Sequence, residues 1–95
     1  MNINFEQVHN YYERVVFEAV ANLAGSYPSY SADMLADVAC VALNRLPARY
    51  VRHDVDMMFY LTESERRAID DGLQDALGFA FSFVGERMAK RTGIA

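Results

Sequence analysis

A single helical pattern governs the C-terminal third of the chain and limits the folds open to it. Thr62 and Glu65 form a capping box, the Ser/Thr-x-x-Glu arrangement that starts many helices. From there to about Arg91, apolar residues recur at three- and four-residue spacing. That stripe contains Leu73, Ala76, Leu77, Ala80, Val84 and Met88, while Phe79, Phe81 and Phe83 occupy other faces. The pattern predicts a long helix whose middle is buried on more than one side.

The N-terminal segment from Phe5 to Leu23 also has apolar residues at helical spacing. Asn4, with Gln7 three positions later, offers an N-terminal cap, and Gly25 offers a stop. We therefore expect a first helix of about five turns.

A second helix is expected between Ser31 and Pro47. Ser31 is a good capping residue and Asp33 suits the first turn, whereas Pro47 ends the helix. This helix is apolar almost all round, so we expect it to be central. Asp37 and Asn44 then point inward and need partners, because a buried unpaired polar group is costly. We expect them to hold the turn around Pro47.

The period changes to two from Arg49 to Leu61, where apolar and polar residues alternate. This pattern predicts an extended arm that lies over the helices or pairs with its copy in a dimer. The predicted fold is therefore all-α, a small domain of three to four helices with an extended segment between helices 2 and 3.

Length and composition favour a single domain, residues 1–95, that associates with a second copy. The chain is 53% hydrophobic, which is high for 95 residues, so part of the apolar surface should face a partner. Gly78 and Gly85 share one helix face and serve either intramolecular packing or a homodimer seam. A single cysteine, Cys40, is expected to be buried and fits a reducing cytoplasm. No membrane-spanning window or export signal is visible.

Catalysis has little support in the sequence. There is no nucleophile elbow and no glycine-rich phosphate loop. His9 and His53 have no metal-ligand companions at suggestive spacing. Asp54 and Asp56 could act as a carboxylate pair, although solvated acids are commoner. We expect a protein that is not an enzyme.

Three arginines without neighbouring acids are the strongest functional signal. Arg45, Arg49 and Arg52 surround Pro47, with Tyr50 among them, in a chain of net charge -4. Guanidinium groups match phosphate oxygens and the guanine edge, and tyrosine offers a stacking face. The alternative is that these arginines pair with surplus carboxylates. The pI near 5.0 argues against general nucleic-acid binding, which normally uses a basic domain.

Two sequence elements resemble a known family. "ADVACVALNRLPARYV", residues 36–51, is similar to the signature of the late competence development protein ComFB family. "NYYERVV", residues 10–16, resembles that family's Asn-x-x-Glu-x-x-Val element. The resemblance implies a small, mostly helical, cytoplasmic homodimer. It also implies a receptor for a cyclic dinucleotide, cyclic di-GMP in particular.

The chain departs from the family pattern at a cysteine cluster. Many members carry Cys-x-Cys-x-x-Cys, suited to thiolate metal binding, where this chain has Ser29, Ser31 and Met34. None of these is a good zinc ligand. We therefore expect no structural zinc and no other cofactor.

The resemblance does not say which residues contact the ligand. The choice of Arg45, Arg49, Tyr50 and Arg52 as ligand-binding residues depends on their side-chain chemistry. Asn10, Glu13, Asp37 and Asn44 are expected to hold the turn, with a secondary possibility of ligand contact, such as Glu13 accepting guanine N–H donors.

Other functions and several details stay open. The main alternative is a competence-related structural adaptor that binds a protein partner without nucleotide. A third hypothesis, single-stranded nucleic-acid binding, is weakened by the acidic balance. The sequence indicates neither the downstream protein nor the choice among cyclic dinucleotides.

Overall fold

The computed structural model describes residues 1–91, which form four helices and one small antiparallel sheet. The elements are β1 (His9–Asn10), α1 (Tyr11–Leu23), a 3-10 turn (Ala24–Ser26), α2 (Ala32–Arg45), β2 (Tyr50–Val51), α3 (Asp54–Tyr60) and α4 (Glu63–Arg91). The prediction of a small, mostly helical domain is confirmed.

The core lies where α2 packs along α4 and α1 packs against α2. Val16 of α1, Val38 and Ala42 of α2, and Ala80 of α4 are fully buried. The alanines let the helix backbones approach closely, while the branched valines fill the space between them. Phe81 is also buried, so the middle of α4 is covered on more than one face, as predicted.

The predicted boundaries of α2 and α4 are confirmed by their caps. The Ser31 hydroxyl accepts the Met34 N–H at 3.1 Å, and α2 ends before Pro47. Thr62 accepts the Glu65 N–H at 3.1 Å and donates its own hydroxyl to the Glu65 carboxylate at 3.0 Å. These local signals are readable from sequence because a cap needs only residues within one helical turn.

The predicted start of the first helix is wrong. α1 begins at Tyr11, not near Phe5, and Asn10 is its cap. The Asn4 side chain instead accepts the Glu6 N–H at 2.8 Å and holds a local turn. The backbone of His9 and Asn10 is used by β1, which prevents one helix from running through both segments.

The extended segment is shorter than predicted and finds its partner within the chain. β2 pairs antiparallel with β1, with Val51 opposite His9 and Tyr50 opposite Asn10. The second half of the predicted arm is helix α3 instead. In α3, Asp54 and Asp56 occupy the first turn, where carboxylates are favourable.

Three residues of α2 lie on the surface, contrary to prediction. Asp37 and Asn44 are exposed, and within residues 1–91 neither makes a hydrogen bond to the turn around Pro47. Cys40 is exposed as well. The polar residues share one line along the helix, but that line faces solvent.

Gly85 serves packing within the chain. A Cβ at this position would overlap the Tyr30 hydroxyl. That hydroxyl donates a hydrogen bond of 2.7 Å to the backbone carbonyl of Phe81. The Phe81 ring also stacks on the Tyr27 ring, with 4.1 Å between the ring centroids. A Cβ at Gly78 would meet open space instead. The two glycines therefore differ, although the sequence suggested one shared role.

This difference makes a matched pair of variants. Gly85→Ala should lower the free energy of unfolding by up to about 1 kcal/mol, because displacing Tyr30 and losing its hydrogen bond costs more than alanine gains in helix propensity. Gly78→Ala should raise it by up to about 1 kcal/mol, because alanine favours the helix. Urea denaturation checks both values. Equal destabilisation by both substitutions would show that Gly78 also faces a close neighbour.

Candidate functional site

A cleft of about 230 Å³ lies between β2 with its flanking residues and helix α3. We call it the β2–α3 cleft. Its lining residues are Arg49, Val51, Arg52, His53, Asp56, Met57, Tyr60 and Leu61. The lining thus includes two arginines, a histidine, an aspartate and a tyrosine beside apolar residues.

The Asn10 side chain fixes the backbone at the entrance to this cleft. Its Oδ1 accepts the Arg49 N–H at 3.0 Å and the Tyr12 N–H at 3.3 Å. The Arg49 carbonyl in turn accepts the Tyr11 N–H at 2.7 Å. The cap of α1 and the chain after Pro47 are therefore joined through one amide. This contact is the one expected of an asparagine that holds the turn.

The structure divides the three arginines between two surfaces. Arg49 and Arg52 line the β2–α3 cleft, whereas the Arg45 guanidinium lies 3.8 Å from the centre of the Phe79 ring. Tyr50 is 69% exposed and does not line the cleft. Sequence proximity around Pro47 suggested one cluster, but the end of α2 directs Arg45 toward α4.

Glu13, Asp37 and Asn44 all lie outside the cleft lining. Glu13 is exposed in the first turn of α1 and makes no hydrogen bond to the turn around Pro47 within the described part of the chain. The expectation that these three hold the turn is wrong, because within residues 1–91 the side-chain hydrogen bond to this turn comes from Asn10.

Helix α3 contributes cleft residues that sequence reasoning missed. Asp56 and Tyr60 are four positions apart, on one helix face, and both line the cleft. Met57 is buried beneath them. The prediction of an extended arm, made from alternating apolar and polar residues, concealed the pair. A seven-residue helix is too short to display a clear helical period. The four-residue spacing of Asp56 and Tyr60 is the signal that could have revealed them.

The start of α3 is tied to β1 and α1 by ionic contacts. His9 Nε2 lies 2.6 Å from one Asp54 oxygen, and Arg14 Nε donates to the other at 3.1 Å. Arg14 also reaches Glu18 at 3.1 Å. Hydrogen bonds to the Gln7 carbonyl and then to Asp54 raise the pKa of His9. The same His9 contact lowers the pKa of Asp54.

The cleft combines features that bind a planar, anionic molecule. Arginines pair with phosphate, Tyr60 offers a face for stacking, and the apolar part of the lining suits contact with the face of a ring. The volume lies below the roughly 300 Å³ at which pockets for drug-sized ligands begin. One cleft therefore suits a single base with its phosphate.

Metal ligands do not converge within residues 1–91. No three His, Cys, Asp or Glu side chains in that range come close enough to hold an ion. Ser31, at one of the positions of the missing cysteines, uses its hydroxyl for the α2 cap, and Met34 is buried.

These observations define a small, mostly helical domain with an arginine-bearing surface cleft. The chain belongs to the ComFB family: the family model described as Late competence development protein ComFB matches residues 9–88. The match covers β1 through most of α4 and includes every residue of the β2–α3 cleft. Searches of curated proteins and of solved structures found no match. Among the described residues, no helix is both long and apolar enough to cross a membrane.

Asn10 both caps α1 and holds Arg49, so its substitution should destabilise the domain more than substitution of an asparagine that has neither contact. Asn10→Ala should lower the free energy of unfolding by about 1 to 2 kcal/mol, because it removes a helix cap and the Arg49 contact. The corresponding fall in Tm is roughly 4–8 °C per kcal/mol for a domain of this size.

Asn44 provides the matched control for this experiment. It is exposed in α2, so Asn44→Ala should be neutral or slightly stabilising. Thermal unfolding followed by circular dichroism compares the two variants. A Tm for Asn10→Ala equal to that of Asn44→Ala would contradict the proposed role of Asn10.

Proposed function

We propose that this protein is a non-catalytic receptor for a cyclic dinucleotide, cyclic di-GMP in the first place, and that it acts as a homodimer in the cytoplasm without a metal cofactor. The observation that carries the proposal is the β2–α3 cleft, whose lining includes Arg49, Arg52 and Tyr60 together with apolar residues. Membership of the ComFB family is consistent with this proposal and does not by itself identify a ligand.

The chemistry of the cleft favours guanine over adenine. Guanine presents acceptors at O6 and N7, which pair with an arginine fork, and N–H donors at N1 and N2. Asp56 lines the same cleft as Arg49 and Arg52 and offers a carboxylate for those donors. Adenine has neither an O6 acceptor nor an N1–H donor. An arginine and a carboxylate in one cleft therefore suit adenine less well than guanine.

Two clefts, one from each protomer, would suit a twofold-symmetric ligand with two bases and two phosphates. Val55 and Phe59 lie four positions apart on the outer face of α3, 59% and 79% exposed. The radius of gyration, 15.8 Å, exceeds the roughly 12 Å expected for a compact domain of this length. A second copy covering α3 would bury these side chains and bring the two clefts together.

The first test of this proposal is the mass in solution. Light scattering at micromolar concentration should give twice the chain mass of 10.8 kDa. Phe59→Asp should shift the mass toward the monomer, because a carboxylate would be desolvated at the interface. Phe17→Asp, at an exposed position of α1, is the control and should leave the mass unchanged. A monomer in the wild type would contradict the dimer.

The second test is the affinity for cyclic di-GMP. Arg49→Ala and Arg52→Ala should each weaken binding, because a charge-assisted contact contributes about 1.5 to 3 kcal/mol. This corresponds to a loss of about ten- to a hundredfold in affinity. Arg→Lys at either position should be nearly as harmful if the contact is bidentate. Isothermal titration calorimetry gives these values.

The controls separate the cleft from general charge. Arg67 is exposed near the start of α4 and outside the cleft, so Arg67→Ala should bind normally. Arg45→Ala should have the smallest effect of the three predicted arginines, because its guanidinium lies on Phe79. Equal affinity for wild type and both cleft variants would reject the proposed site.

Parallel titrations distinguish the other functions. Binding of cyclic di-AMP with equal affinity would remove the preference for guanine, and binding of a short oligonucleotide instead would favour nucleic acid. If none of these ligands binds, the competence-related structural adaptor is the better explanation, with a protein partner at the same surface.

A further inference from the structure

We propose that His9, Asp54 and Arg14 form a pH-responsive latch that holds helix α3, and with it one wall of the β2–α3 cleft, against β1 and α1. The two contacts with Asp54 join residues that are 45 and 40 positions apart in the chain. These contacts form within the chain and need no nucleotide, so the latch is a property separate from the proposed nucleotide binding.

The geometry around His9 requires both ring nitrogens to carry protons. Nδ1 lies 2.6 Å from the Gln7 carbonyl oxygen, and Nε2 lies 2.6 Å from Asp54 Oδ1. Both partners are acceptors, and only the doubly protonated imidazolium donates from both nitrogens. Loss of one proton therefore leaves a lone pair facing an oxygen at one of the two contacts.

The side chains of α3 that the structure describes provide few other anchors, so the latch contributes to holding the helix in place. Among these described side chains, Met57 is buried, whereas Val55, Phe59 and Tyr60 are largely exposed. A seven-residue helix is not stable alone in water. Release of its first residue, Asp54, would loosen the helix that carries Asp56 and Tyr60 into the cleft.

The charged groups facing His9 set the direction of the pH dependence. Asp54 approaches from α3 and Glu13 from α1, and both favour the imidazolium, while Arg14 and Glu18 complete the network around Asp54. The pKa of His9 is raised, first by the Gln7 contact and then by Asp54. The latch is therefore fully formed at a pH below the ordinary histidine pKa of about 6.5. It weakens as the pH rises through the raised pKa of His9.

The acidic limit comes from Asp54. Its pKa is lowered from 3.8, chiefly by His9, so its contribution is present above 3.8 and is lost only as pH falls through that lowered value. Above the pKa of His9, Arg14 still contacts Asp54, so the latch weakens rather than disappears.

Nuclear magnetic resonance of the protein without nucleotide tests the latch directly. The His9 ring should titrate above about 6.5. The backbone order parameters of α3 should be near 0.85 at pH 6 and fall toward about 0.6 at pH 8.5. His9→Gln should show the low values at both pH values, since a neutral amide cannot provide the imidazolium.

Matched acid variants separate the latch from general effects of charge. Asp54→Asn should lower the α3 order parameters at pH 6 and bring the His9 pKa closer to its ordinary value. Asp56→Asn, in the same helical turn but without a contact to His9, should keep the pH dependence of the wild type. Circular dichroism confirms that each variant folds.

Two results would overturn the latch: an ordinary pKa for His9, or order parameters of α3 that do not change between pH 6 and pH 8.5 in the wild type. Because nucleotide is absent throughout, these failures are distinguishable from a failure of cyclic di-GMP binding.

Discussion

The side-chain oxygen of Asn10 accepts two backbone N–H groups, and the position of the cleft depends on this pair of hydrogen bonds. One bond caps α1 and the other holds Arg49 just after Pro47. The short β1–β2 pairing extends the same junction by two residues on each strand. A cap normally stabilises one helix end, but here it also holds the backbone at Arg49, where the chain enters the cleft.

The elements beyond this junction differ in how firmly they are held. α1, α2 and α4 share a core of fully buried valine and alanine side chains, so their arrangement is insensitive to surface charge. α3 instead depends on Met57 and on ionic contacts at Asp54. This contrast places the cleft between the Asn10 junction and a helix with little described burial, and segments with few buried contacts are those that respond most readily to a ligand or to pH.

Most of the fold could be predicted from local signals, and the site could be predicted only in part. Ser31, Pro47 and the Thr62 capping box act within one or two turns, so the sequence alone located α2 and α4. The pairing of β1 with β2 and the contact between His9 and Asp54 join distant segments, and no local pattern predicts them. Arg49 and Arg52 were found through their charge, whereas Asp56 and Tyr60 became visible only once α3 was recognised as a helix.

The central claim is that the β2–α3 cleft binds the cyclic dinucleotide, and mapping of backbone amide shifts during a cyclic di-GMP titration tests it most directly. The largest shifts should fall between Arg49 and Leu61, with smaller ones at Asn10 through its bond to Arg49. Shifts centred on Arg45 and Phe79, or no shifts at saturating nucleotide, would contradict it.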